Sequence, residues 1–178
     1  TITVLPDGNT TTANSLTAGF IAGKGVTLSG IENLTILNTT ATVVNAADLG
    51  ADVKKLTLTG TTAAQTVTLN AGITEVVAKT TAAVTINGNA GTDVLTTVSL
   101  ENVAAASTSA SDVLNTVTLK GVSSTLTNTA AAATRTLTVN AENVSGAAAM
   151  LDATATTFTV NASGTTANVL ALTATAAT

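Results

Sequence analysis

A five-residue pattern that recurs along the chain constrains the fold more than any other feature of the sequence. Each copy reads apolar residue, Thr, apolar residue, any residue, small residue. A period of two places Val, Leu and Ile on one face of a strand and Thr on the other. The frequent Asn-Gly or Asn-Ala ending provides a corner, because Asn and Gly tolerate left-handed backbone angles. Seven segments follow the pattern: residues 26–30, 56–60, 67–71, 84–88, 117–121, 137–141 and 158–162.

The spacing of these segments indicates how the strands are arranged. Weaker strand patterns fill the gaps, at residues 34–37, 42–44, 74–78, 98–100, 125–127 and 169–173, so that a strand begins about every ten residues. The segment 93–103 recurs as 112–122, with seven of eleven positions identical. A repeat of about 20 residues that holds two short strands is typical of a solenoid.

We therefore predict an all-β fold, a parallel β-solenoid or β-roll of irregular rungs of roughly 20 residues. The alternative is a β-sandwich, which also has closely spaced short strands. A sandwich core usually contains aromatic residues, and this chain has only two, both Phe. Residues 45–55 and 145–153 are open to interpretation as short helices, the second because Ala-Ala-Ala-Met-Leu consists of good helix formers.

The chain is expected to be one repetitive segment, residues 1–178. Because it opens at Thr1 rather than Met, we expect it to be a processed product or an excerpt of a longer chain. No run of 18 apolar residues is present, so no membrane insertion is expected.

The composition argues against several classes of function. The chain has no His, Cys, Trp or Tyr, one Arg and a net charge of −4. Nucleophilic triads, zinc sites and thiol redox centres therefore lack their residues. Nucleic-acid binding lacks its aromatic platforms and basic patches. No acid, base and stabilising group can be assembled from the scattered charges, so we predict that the protein is not an enzyme.

One turn carries the residue types of a calcium site. Gly88, Asn89, Gly91 and Asp93 fit the β-roll pattern Gly-Gly-x-Gly-x-Asp, with Asn in place of the second Gly. Asp112 lies one repeat later at the equivalent place and would stack on Asp93. Calcium prefers six to eight such carboxylate and carbonyl oxygens. The alternative is a plain Gly-rich turn in which Asp93 caps a backbone amide.

A second candidate ligand for calcium is Asp7, in the segment Pro6-Asp7-Gly8-Asn9. This segment is also an ordinary turn sequence.

Paired threonines form the third feature. They flank one inward apolar residue each, and stacked rungs would align them into a ladder of methyl and hydroxyl groups. Such a ladder resembles ice-binding solenoids, although Thr is also a good solvent-facing strand residue. The pairs are Thr57/Thr59, Thr66/Thr68, Thr116/Thr118, Thr136/Thr138 and Thr157/Thr159.

Residues 25–34, Gly-Val-Thr-Leu-Ser-Gly-Ile-Glu-Asn-Leu, resemble a phrase that recurs in bacterial surface-layer (S-layer) proteins exported by type I secretion. Residues 91–95, Gly-Thr-Asp-Val-Leu, resemble the degenerate calcium-binding turns of the same RTX-like class. This resemblance implies an extracellular, calcium-dependent lattice protein on the cell surface that self-associates and contacts adjacent domains of its own chain. A repetitive extracellular adhesin has a similar composition and is the alternative function.

Overall fold

The computed structural model describes residues 3–4, 15–18, 27–28, 30–37, 42–45, 49, 51–59, 63–88, 93–129 and 135–174. Within these ranges the secondary structure is almost entirely β, and no helix is long and apolar enough to cross a membrane. The strands are β1 (Thr3–Val4), β2 (Ser15–Ala18), β3 (Thr27–Leu28), β4 (Asn33–Leu37), β5 (Thr42–Asn45), β6 (Lys55–Thr59), β7 (Gln65–Thr68), β8 (Glu75–Lys79), β9 (Val84–Asn87), β10 (Thr97–Glu101), β11 (Ser107–Ser109), β12 (Thr116–Lys120), β13 (Thr125–Asn128), β14 (Arg135–Glu142), β15 (Ala149–Asp152), β16 (Ala155–Ser163) and β17 (Ala171–Ala174).

The strands alternate between two parallel sheets, which confirms the predicted β-solenoid. The first sheet has eight strands in the order β16-β14-β12-β10-β8-β6-β4-β2, and the second has seven in the order β17-β15-β13-β11-β9-β7-β5. A further two-stranded sheet pairs β1 with β3. From β4 onward, each coil therefore contributes one strand to each large sheet. The β-sandwich alternative is wrong, because every pairing among the described strands is parallel, whereas sandwiches of this kind are built from antiparallel sheets.

The register of the first sheet gives the length of each coil. One column of paired residues runs through Leu16, Leu34, Leu56, Val76, Val98, Val117, Val139 and Val160. Consecutive members are separated by about 20 residues, with small differences from coil to coil. The predicted irregular repeat is confirmed, and within the paired strands of this sheet the register shifts once, between Arg135 and Thr136 in the pairing of β14 with β16.

Side chains alternate between a buried interior and an accessible surface along most strands. In β6, Leu56 and Leu58 are buried while Lys55, Thr57 and Thr59 are partly accessible. Among the described residues, the buried apolar side chains form one continuous core cluster between the sheets. Its largest fully buried side chains are Ile36, Leu49, Leu56, Leu58, Ile73, Ile86, Leu95, Leu100, Leu114, Leu119, Leu126 and Leu137.

A corner of left-handed residues follows the strands of the first sheet in the last four coils. Asn102, Gly121, Asn143 and Gly164 all have positive φ, at 62°, 61°, 53° and 103°. Asn and Gly alternate from coil to coil. A Cβ added to Gly164 would lie 2.3 Å from the side-chain oxygen of Asn143, so each Asn side chain occupies the space that its Gly neighbour leaves open.

The helix predicted for residues 145–153 is wrong. Ala149–Asp152 forms β15, which pairs with both β13 and β17, and Met150 is fully buried in the core. Pairing with two strands outweighs the helix propensity of Ala, Met and Leu. The described part of residues 45–55 contains no α-helix either, because Asn45 ends β5, residues 51–52 form a turn and Lys55 begins β6.

Two glycines give a test of how tightly the coils are stacked. Gly72 approaches the preceding coil so closely that an added Cβ would lie 2.4 Å from the carbonyl oxygen of Ala51. Gly146 has φ +66°, but its nearest neighbour would be the Cβ of Ser123 at 3.7 Å. Gly72 is thus required because the preceding coil leaves no space for a Cβ, and Gly146 is required because its φ is positive.

We expect Gly72→Ala and Gly146→Ala each to lower the free energy of unfolding by about 1–2 kcal/mol. Gly146→Asn should recover most of its loss, because Asn tolerates left-handed angles, whereas Gly72→Asn should be at least as harmful as Gly72→Ala. Urea unfolding followed by circular dichroism measures all four variants. Recovery of stability in Gly72→Asn would contradict the close approach of the coils.

Candidate functional site

The predicted turn brings Gly88, Asp93 and Asp112 together at one corner of the solenoid. The Asp93 carboxylate accepts a hydrogen bond from the backbone N–H of Asp112, with Oδ2 2.9 Å from the nitrogen. A Cβ added to Gly88 would lie 2.7 Å from Asp93 Oδ1 and 2.5 Å from the carbonyl oxygen of Ala110. The predicted stacking of successive repeats at this corner is therefore present, and Asp93 caps an amide of the next coil.

The described residues test only part of the predicted calcium site. Asn89, Gly91 and Asp7 lie outside them. Among the residues that the structure describes, no group of three or more His, Cys, Asp or Glu is placed to hold a metal ion. Asp93 Oδ1 and the Ala110 carbonyl converge near Gly88, but calcium requires six to eight oxygens. Calcium binding at this corner stays a prediction, with Asp93 and Asp112 as its carboxylates.

A buried polar network lies in the same part of the solenoid. The inward column of the second sheet is apolar at Val44, Val67 and Ile86, and then continues as Ser109, Asn128 and Asp152. These three polar side chains are each 1% exposed. We call the set formed by Ser109, Ser111, Asn128, Arg135 and Asp152 the polar corner.

Asn128 is the centre of the polar corner. Its side-chain oxygen accepts hydrogen bonds from the Ser109 hydroxyl at 2.9 Å and the Ser111 amide at 3.1 Å. Its side-chain nitrogen donates to the Ser111 carbonyl and to Asp152 Oδ2, both at 2.9 Å. One Asn side chain thereby links three successive coils, and its hydrogen bonds offset the cost of removing these groups from water.

Arg135 and Asp152 form a buried ion pair at the edge of this network. An Arg135 terminal nitrogen lies 2.5 Å from Asp152 Oδ2, and the side chains are 10% and 0% exposed. The other terminal nitrogen donates to the Thr154 hydroxyl at 2.7 Å and to the Asp112 carbonyl at 3.3 Å. Asp152 Oδ1 accepts the backbone N–H groups of Thr154 and Ala155, both at 2.9 Å.

The pKa of Asp152 lies below its ordinary value. Burial raises the pKa of this carboxyl, but hydrogen bonds from Asn128 and from the Thr154 amide lower it, and so does the positive charge of Arg135. Together these contacts outweigh burial, so that the carboxylate form is favoured.

Other acidic side chains also connect neighbouring coils. Asp52 Oδ2 accepts the backbone N–H of Gly30 at 2.9 Å. On the outward face of the first sheet, three ion pairs join successive strands. Their distances are 2.7 Å for Lys55–Glu75, 3.2 Å for Lys79–Glu101 and 3.2 Å for Lys120–Glu142.

The threonines form columns on both outward faces, although not in the predicted pairs alone. Thr66, Thr85, Thr108 and Thr127 stack in register on the second sheet, where Val43 precedes them and Leu151 follows. Thr97, Thr116, Thr138 and Thr159 stack on the first sheet. The columns are therefore four threonines long, and each is interrupted by other residue types.

Sequence reasoning missed the polar corner, although a signal for it is present. Asn128 and Asp152 each stand two residues after an inward apolar residue, Leu126 and Met150, and therefore occupy inward positions themselves. A polar residue at an inward position requires a buried partner. The partner, Arg135, could be identified only after the coil register was known.

Comparison of the chain with protein-family models, with curated proteins and with solved structures finds no match.

The Asp152–Arg135 pair should make stability depend on pH in the acid range. Because the folded-state pKa is lowered, its contribution is complete above the ordinary value of 3.8 and is lost as the pH falls through the folded pKa. We expect Asp152→Asn to cost about 3 kcal/mol at pH 7, since it leaves Arg135 buried without a counter-charge. The difference from the parent chain should narrow as the pH falls below 3.8, because the carboxyl of the unfolded parent chain then takes up a proton before the folded one does. Urea unfolding of both chains from pH 7 to pH 2 measures the difference in the free energy of unfolding, with Glu75→Gln as an exposed control. A difference that stays constant over this range would contradict the role of the Asp152–Arg135 pair.

The calcium hypothesis is tested by stability rather than by activity. If Asp93 binds calcium, a chelated sample should gain about 2.7 kcal/mol when free calcium reaches 100 times its dissociation constant. Asp93→Asn should lose most of this gain while retaining an acceptor for the Asp112 amide, and Glu75→Gln should keep it. Thermal melting during a calcium titration measures the effect. No shift at millimolar calcium would remove Asp93 and Asp112 as ligands.

Proposed function

We propose that this chain is a structural component of an extracellular two-dimensional protein lattice, an S-layer, on a bacterial cell surface. It acts mechanically, as a stack of coils that self-associates and contacts neighbouring domains of its own chain, with calcium bridging carboxylates at corners. It performs no catalysis and binds no nucleic acid.

The observation that carries this proposal is the use made of the charged side chains. Six acidic residues have partners 17 to 22 residues away along the chain, which places each contact between adjacent coils. Their chemistry serves to attach one coil to the next. This use is typical of a load-bearing repeat protein rather than of a catalytic site, where charged groups converge on a cleft. These residues are Asp52, Glu75, Asp93, Glu101, Glu142 and Asp152.

The last described coil provides further support for self-association. Val160 and Val169 are 45% and 57% exposed there, while Phe158, Leu170 and Leu172 pack partly against the core. Phe158, Val160 and Leu172 pair with the buried residues Leu137, Val139 and Met150, so these three continue the inward rows of the preceding coil. An additional coil or a second subunit would remove this apolar surface from water, which favours association.

The resemblance of residues 25–34 and 91–95 to S-layer proteins gives the proposal its location and class. It supports export to the cell surface and a dependence on calcium. The absence of Cys is compatible with this location, because the stacked coils and their ion pairs stabilise the fold without disulfides.

The second candidate is a repetitive adhesin or a Thr-ladder binding module, favoured by the column Thr66, Thr85, Thr108 and Thr127. These residues expose methyl and hydroxyl groups at the regular spacing of about 4.8 Å between strands. Ice binding is the less favoured form, because Val43 and Leu151 limit the column to four threonines.

Electron microscopy of the native cell surface tests the proposal. We expect a regular two-dimensional array that antibodies against this chain label, and that loosens when calcium is chelated. Labelled fibrils without an array would support the adhesin instead. Absence of the label from the cell surface would overturn both functions.

A further inference from the structure

The outward face of the first sheet carries a row of alternating charges. Lys79, Glu101, Lys120 and Glu142 stack in register on strands β8, β10, β12 and β14, and we call them the charged column. Their side chains are 51%, 30%, 49% and 37% exposed. Ion pairs within the chain hold each Lys beside a Glu, so that the row has a fixed order of signs along the solenoid axis.

This order of signs is self-complementary. Read in one direction the charged column is plus, minus, plus, minus, and read in the other it is minus, plus, minus, plus. A second copy turned end for end against the first therefore places an opposite charge against each of the four positions. Two-fold symmetry produces this arrangement, because residue i of one copy meets residue j of the other and j meets i.

We propose that two copies of this chain associate through the outward faces of their first sheets, with their charged columns antiparallel. The two-fold axis lies between the two facing sheets and runs parallel to their strands, at a level midway between β10 and β12. Lys79 of each copy then lies opposite Glu142 of the other, and Glu101 opposite Lys120. This inference rests on the proposed self-assembling function and adds the surface that carries out the assembly.

The remainder of the face allows the close approach that such a dimer needs. Between the charged column and the opposite edge of the sheet, the central column of the six overlapping strands consists of Thr57, Val77, Ser99, Thr118, Asn140 and Asn161. These side chains are all shorter than Lys and Glu, and Thr57, Val77 and Ser99 line a depression of about 540 Å³ between the Lys55–Glu75 and Lys79–Glu101 pairs. Two sheets packed about 10 Å apart can therefore accommodate the long Lys and Glu side chains of both copies in the layer between them.

The area of the face indicates a weak dimer. In this alignment six strands of each copy overlap, over roughly 29 Å along the axis and roughly 16 Å along the strands. The total buried surface is then about 1,000 Å², which is at the low end for specific interfaces. Weak contacts of this kind suit a lattice, in which each subunit makes several contacts and the pairing energies act together.

The opposite edge of the sheet supplies a matched control. Lys55 and Glu75 form an ion pair like those of the charged column, but in the proposed alignment they lie opposite Thr159 and Thr138 of the second copy. Reversing either charge alters the net charge and breaks an exposed pair, as a change in the charged column does. It does not place like charges across the interface.

Sedimentation equilibrium at low salt, over a range of protein concentrations, tests the proposal. Glu101→Lys places a new lysine against Lys120 of the second copy, and Lys120→Glu places a new glutamate against Glu101 of the second copy. Because of the two-fold symmetry, each like-charge contact occurs two times in a dimer of one variant. We expect each variant alone to self-associate about tenfold more weakly than the parent chain. An equimolar mixture of the two variants should regain the parent affinity, because every position is again opposite the other sign.

Glu75→Lys and Lys55→Glu, which match the net charges of these two variants, should associate as the parent chain does. A parent chain that stays monomeric, a mixture that does not regain association, or equal weakening by the controls would each overturn the proposed interface. Surface arrays would still form if only this interface were wrong. A dimer without arrays on the native surface would leave the interface standing and remove the lattice function.

Discussion

In-register stacking of parallel coils is the constraint on which the rest of this structure depends. Each residue of a strand lies beside the residue at the same position in the next coil. Each column of side chains therefore faces one way, inward or outward, along its length. An inward column must be apolar or fully hydrogen-bonded, and an outward column must tolerate neighbours of its own kind at about 4.8 Å. Like charges at that distance repel, so that charged residues can share a column only if their signs alternate. Lys79, Glu101, Lys120 and Glu142 satisfy this condition.

The same constraint explains why coils of unequal length can belong to one regular stack. The strands must match in register, but the corners need only return the chain to the next strand. Residues with left-handed backbone, such as Asn102 and Gly121, turn the chain sharply at fixed points, and the segments between them absorb the differences in length. Regular outward faces are therefore compatible with an irregular sequence repeat.

The apolar-Thr-apolar pattern and the weaker strand patterns together predicted twelve of the fifteen strands of the two large sheets. They did not predict Ser107–Ser109 or Ala149–Asp152, because Ser, Ala and Asp have little intrinsic preference for strands. Those segments become strands because strands on both sides offer unpaired backbone groups. Similarly, the recurrence of one segment predicted that Asp93 and Asp112 lie together, and the alternative to calcium had Asp93 capping a backbone amide, but neither identified that amide as the one of Asp112. The path of the backbone decides which amide the Asp93 carboxylate reaches, and the spacing of residues along the sequence does not show that path.

Repeat proteins whose coils resemble one another face a particular difficulty, since a coil displaced by one repeat would still match apolar residues with apolar residues. The column that contains Val44, Val67 and Ile86 would accept such a shift with little loss of packing. Its continuation through Ser109, Asn128 and Asp152 would not, because a shift would leave the Asp152 carboxylate buried against an apolar neighbour and without Arg135. Leaving a buried charge unpaired costs several kcal/mol, more than most single contacts contribute. The polar corner therefore adds less to the total stability than an apolar column would. In return, it restricts the coils to one order of stacking. A fixed order of stacking is what gives the outward faces a defined pattern of residues.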